Sequence, residues 1–118
     1  MVSEEIRTKA LELARAIVGS EEYQNFIEKE EVLKNDEEAQ NLLVEFQDLQ
    51  QQFISYQLSG EMNEDVLNRL TEIQKALNER ESVKNFMEAY NRLLDLLQEV
   101  SDILSEEMEF DLGEVYRR

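Results

Sequence analysis

Carboxylates are the only side chains present in quantity that could do chemistry. They stand in runs at Glu21-Glu22, Glu28-Lys29-Glu30-Glu31, Asp36-Glu37-Glu38 and Glu106-Glu107. Paired carboxylates can move protons or hold a hard cation, but their usual companions are missing. The 118 residues contain no histidine and no cysteine, which removes the commonest bases, the thiolate nucleophile and the soft-metal ligands. A di-iron helical bundle needs Glu-x-x-His pairs, no acidic run has calcium-loop spacing around a central glycine, and phosphate-cradling glycine clusters are absent. The carboxylate runs therefore read as solvated faces and helix-start charges. The expectation is a protein that is not an enzyme and has no cofactor or metal; an enzyme working with carboxylates alone is the weaker alternative. Phe46, Phe53, Phe86 and Tyr90 sit at core spacings, as do Tyr23 and Phe26, and none forms a cofactor box.

The elements that carry these side chains are helices. Proline is absent, glycine occurs only at Gly19, Gly60 and Gly113, and the interior is rich in Leu, Glu, Gln, Ala, Lys and Arg. Gly19 and Gly60 follow periodic runs, where left-handed caps are expected. A first helix starts near Ser3 with the stripe Ile6, Ala10, Leu13 and Ile17. A second follows Ser20, with Tyr23, Phe26, Ile27 and Leu33. Asn35 reads as the cap of a third, with Glu38 reaching back to it, and its seam is Ala39, Leu42, Phe46, Leu49, Phe53 and Tyr56. Asn63 caps a fourth with Val66, Leu70, Ile73 and Leu77. Ser82 either caps the fifth or interrupts a helix continuous from Asn63. The fifth seam is Val83, Phe86, Tyr90, Leu93, Leu97, Val100 and Leu104, with Leu96 and Ile103 off it, so its apolar stripe is wider than one helix contact needs. The fold class is all-α: antiparallel hairpins or a bundle of four to five helices, some long and coiled-coil-like.

A chain this size makes one domain, taken as 1–105, followed by an acidic flexible tail over 106–118 whose spaced aromatics could also form a short docking motif. With 28 acidic against 12 basic residues the net charge is -16. That field repels phosphate backbones and anionic lipid, so no direct nucleic-acid contact and no membrane contact are expected. No apolar run approaches bilayer length and the start MVSEEIRTKA lacks signal-peptide order, which predicts a cytoplasmic protein.

One stretch departs from the acidic background. In FQDLQQQFISYQLSG, nothing between Asp48 and Glu61 is charged. If Leu49, Phe53 and Tyr56 face a partner helix, Gln50 and Gln57 flank it, Gln47 and Ile54 lie further round, and Leu58 is one turn beyond. Glutamine can bury its stem or bond across a contact without desolvating a charge. The stretch is expected to pack on more than one side, within the monomer or against another copy or partner; plain solvated surface is the alternative. With Leu96 and Ile103 this gives a candidate interaction face of Gln47, Gln50, Ile54, Gln57, Leu58, Leu96 and Ile103, and predicts a homo-oligomer, dimer or larger.

The pattern Phe46-x-Asp48-x-Gln50, then Gln57-x-x-Gly60, preceded by Gly19-Ser20-Glu21-Glu22-Tyr23 and followed by a helix containing Ala89, resembles the YlbF/YmcA/YheA superfamily of small helical proteins. The likeness runs from the first helix to about Leu104. It implies an all-helical, self-associating, non-enzymatic protein. In the YlbF/YmcA branch it implies a regulatory adaptor in competence, sporulation and biofilm formation that works with YaaT on RNA processing by RNase Y, so relatives of YlbF, YmcA, YaaT or RNase Y are the implied partners. That branch also carries carboxy-terminal cysteines linked to iron-sulfur binding, and here there are none. The Gly-Ser-Glu-Glu-aromatic and Gln-x-x-Gly markers are closer to the YheA branch, a self-assembling type with no established function.

Overall fold

The computed structural model describes residues 1–113, and within them the protein is all-α. Among the described residues there are five helices: α1 (Glu4–Val18), α2 (Glu21–Lys34), α3 (Glu37–Leu58), α4 (Glu64–Glu79) and α5 (Glu81–Met108). The caps explain most of the boundaries. Ser3 Oγ accepts the Ile6 N–H, and Asn63 Oδ1 accepts those of Asp65 and Val66, each supplying an acceptor to an amide that the helix itself leaves unpaired.

Gly60 is the left-handed cap expected, at φ 76°. The Gly60 N–H reaches the Gln57 carbonyl and the Glu61 N–H reaches that of Tyr56, the paired bonds of a Schellman ending. Gly19 is not left-handed. At φ -79° and ψ -6° it stays in the ordinary helical region, because Ser20 makes the turn: its hydroxyl donates to the Ile17 carbonyl and accepts the Tyr23 N–H.

Two compact units divide the chain. The central unit is Lys29–Met87, and the terminal unit joins Met1–Glu28 to the chain from Glu88 onward. α2 and α5 each pass from one to the other. In the central unit α3 and α4 form an antiparallel hairpin, since Asp36 meets Arg80 while Glu45 meets Arg69. Ala39, Val66, Ile73 and Leu77 close its core, all of them at seam positions. Burying each of the larger ones contributes roughly 1.5–3 kcal/mol.

The cap of α3 is Asp36, not Asn35, and Glu38 reaches Arg80 rather than back to a cap. Asp36 Oδ1 accepts the Ala39 N–H, while its two oxygens take Arg80 Nη2 at 2.8 Å and Nε at 3.0 Å, and Ser82 Oγ also donates to it. Arg80 is extended, at φ -77° and ψ 132°, and separates α4 from α5. Ser82 lies inside the first turn of α5, so it neither caps that helix nor interrupts a continuous one.

α5 extends past the expected end near Ser105 to Met108. Glu109, at φ 53°, closes it, with the Phe110 N–H on the Ser105 carbonyl and the Leu112 N–H on Ser105 Oγ. Of the tail taken as 106–118, residues 114–118 lie outside the described residues.

Candidate functional site

The glutamine stretch faces outward. Gln47, Gln50, Ile54, Gln57 and Leu58 are all exposed, Ile54 at 54% and Leu58 at 84%. Packing inside the monomer is therefore ruled out for this face, which leaves another protein surface or water. Gln50 and Ile54 border a groove of about 390 Å³ on the α3–α4 hairpin. Phe46 and Phe53 from α3, and Leu67, Leu70, Thr71 and Gln74 from α4, complete it, and no lining residue is charged. Nearby, Arg69 donates to both oxygens of Glu45, at 2.8 and 3.2 Å, and to Glu72 at 3.1 Å. These bonds, Glu45 first, hold its guanidinium even more firmly protonated than usual. Arg69 is thus committed to its own chain, and the groove beside it stays neutral.

Gln47, Gln57 and Leu58 lie outside that groove. Leu96 and Ile103 belong to the terminal unit, so the seven candidates are split between the two units. Leu96 is half-buried on the wall of a hollow of about 630 Å³ that carries Glu21, Glu22, Glu28, Asp95 and Glu99. Arg92, also in its wall, pairs with Glu88 at 3.3 Å. Two of the acidic runs thus meet there, but no group of three or more acidic side chains is close enough to hold a metal ion among the described residues. Ile103 is simply exposed.

Sequence reasoning missed two features. The first is the Asp36, Arg80 and Ser82 cluster. The Arg80 guanidinium, then the Ser82 hydroxyl, hold the Asp36 carboxyl down to about 2 from its ordinary 3.8. Folding α3 against α4 in antiparallel register from the tip at Gly60 would have brought Asp36 to Arg80, and that was the available signal. The second is the open face of α1. None of its residues is buried, and Ile6 is 62% exposed. Ile6, Ala10 and Leu13 line a groove of about 520 Å³ whose other wall holds Leu104 of α5, with Glu5 and Lys9 at its edge. Elsewhere in this unit Phe26 meets Tyr90, ring centroids 6.0 Å apart.

The fold is that of a small all-α protein with a neutral groove on its α3–α4 hairpin and an open apolar face on α1. Residues 6–109 match the family described as "Control of competence regulator ComK, YlbF/YmcA", and the chain belongs to that family. It is 30% identical to the regulatory protein YlbF of Bacillus subtilis over 104 residues, 86% of this chain and 70% of that one. With a UPF0342 protein of Desulfitobacterium hafniense it shares 28% over 103 residues, covering 86% and 79%. Among solved structures, Bacillus subtilis RicA, crystallised in complex with RicF, superposes with a TM-score of 0.84 at 26% identity, over 92% of this chain and 96% of that one. A protein of unknown function (DUF964) from Bacillus stearothermophilus shares the fold, with a TM-score of 0.66 at 21% identity over 90% and 94%. No helix of the described residues is long and apolar enough to cross a membrane.

Proposed function

We propose that this protein is a non-enzymatic regulatory adaptor of the cytoplasm that works by binding other proteins through the neutral α3–α4 groove. The observation that carries this reading is the groove itself, an uncharged apolar surface held open on a chain of net charge -16. Ordinary solvated helix faces on such a chain would carry glutamate, and charges are depleted from the cores of protein interfaces. The similarity to YlbF, named a regulatory protein, and to RicA, crystallised with RicF, supports the same reading. The family likeness points to relatives of YlbF, YmcA, YaaT or RNase Y as partners, and to control of competence, sporulation, biofilm formation or RNA processing as the setting.

The test is a crosslinked pull-down from the native host after ribonuclease treatment, with wild type beside Ile54→Glu. Wild type should recover partner proteins, and Ile54→Glu should lose them while keeping its helicity by circular dichroism. Equal recovery by both would remove this groove from the binding surface, and recovery of the chain alone would favour a purely self-assembling protein.

A further inference from the structure

Given that the α3–α4 groove is a binding surface, as proposed above, we infer that its occupant is one amphipathic helix of a partner protein, laid along the hairpin with an uncharged apolar stripe inward and lysine or arginine on its flanks.

The walls decide the secondary structure of the occupant. Both are helices, whose backbone N–H and C=O groups are spent on their own turns, so the groove presents only side chains. Of its polar ones, the Thr71 hydroxyl already donates to the Leu67 carbonyl, which leaves the amides of Gln50 and Gln74. An extended peptide would bring a row of backbone donors and acceptors with almost nothing to receive them. A helix arrives with those groups already paired, and it seats against a helical pair at the ordinary interaxial distance of about 8–10 Å.

The length of the walls sets the spacing of the contacts. The α3 wall runs from Phe46 to Ile54 and the α4 wall from Leu67 to Gln74, about 12 and 10 Å of helix, or roughly two turns. A docked helix therefore has room for apolar anchors at i, i+3 or i+4, and i+7. Ile54 on one wall and Leu67 on the other are both exposed, so each has surface left for such anchors to cover.

Charge decides the flanks. Residues 37–79 hold nine carboxylates against Arg69 and Lys75, and none of these charges lines the groove. Arg69 is further occupied by Glu45 and Glu72. A helix with basic flanks is drawn to a hairpin that is acidic around a neutral seat, while its apolar stripe meets no charge that would have to be desolvated. A second copy of this chain, at -16, meets like charge here and is disfavoured.

The experiment selects a displayed library of random peptides, each long enough for about four helical turns, on the full chain. Enriched peptides should carry apolar residues at i, i+3 or i+4, and i+7, with lysine or arginine beside them. A synthetic copy of the consensus should gain helicity by circular dichroism on binding, and it should bind Ile54→Glu and Leu67→Glu at least about ten-fold more weakly. Exchanging its basic residues for glutamate should weaken it by a similar factor. Both substituted positions are exposed, so the variants keep the fold, and each checks the other. A library that enriches nothing, peptides without the helical spacing or with acidic flanks, or a consensus that gains no helicity or is indifferent to both variants or to the loss of its basic residues would each overturn the inference. In the pull-down above, partners lost on Ile54→Glu alongside any of these failures keep the groove as a binding surface and remove the helix alone. A helical consensus beside a pull-down that recovers only the chain removes the adaptor reading and leaves the preference of the groove standing.

Discussion

The central and terminal units follow the same helical pattern and reach opposite ends. In the central unit the seams of α3 and α4 find each other, so that Ile73 is 1% exposed and Ala39 0%. In the terminal unit seams of similar quality remain open. Among its described residues Ala89 is the buried apolar one, while Ile6, Leu13, Leu97 and Leu104 stay substantially accessible. The difference teaches that a heptad seam marks a face that needs covering and says nothing of which chain covers it. One unit closes a core of its own between two helices. The other leaves most of its apolar seam accessible.

That contrast can be broken by mutation, most forcefully at Ile73. Ile73→Ala should cost about 3 kcal/mol of unfolding free energy in urea, within the range for a buried aliphatic side chain. A loss below about 1 kcal/mol would mean that the central core is as loose as the terminal one.

Next comes acid. The folded Asp36 carboxyl is held near 2, below its ordinary 3.8, so its contribution is complete above about pH 4 and is lost as pH falls from there toward 2. Arg80 stays charged throughout. Asp36→Asn should lower the urea midpoint at neutral pH and remove this part of the acid dependence, the two proteins converging near pH 2. Parallel curves would show that the cluster does not tie the central unit.

Gly60→Ala tests the hairpin turn more gently. A Cβ there meets no atom within 4 Å, so the cost is the left-handed backbone alone, about 1 kcal/mol. The smallest effect sharpens the contrast from the other side. Ile6→Ala should cost under about 0.5 kcal/mol, as an exposed substitution does. A large loss would mean that the terminal unit is closed after all.

What was legible in the sequence follows the same division. The α3 and α4 seams, the Asn63 cap and the Gly60 ending could be read because each depends on neighbours within a turn or two. The choice between Asn35 and Asp36 could not, since both are good caps and Arg80 and Ser82 decide between them from 44 and 46 residues away. The glutamines were visible as an anomaly, but their outward direction was not, because period locates a face relative to a seam and leaves open what lies beyond it. The open face of α1 was visible as a stripe, but that nothing in its own chain buries it was not, because that depends on residues far along the sequence.

The break at Arg80 has a further meaning for how the chain is made. No glycine or proline lies between Asn63 and Met108, and left to local preference those residues favour one unbroken rod. The ties that hold Arg80 and Ser82 come from a residue synthesised earlier, so the start of α3 is already waiting when they emerge. The corner is thus written in two places, in the extended backbone at Arg80 and in the Asp36 carboxylate that Arg80 and Ser82 donate to.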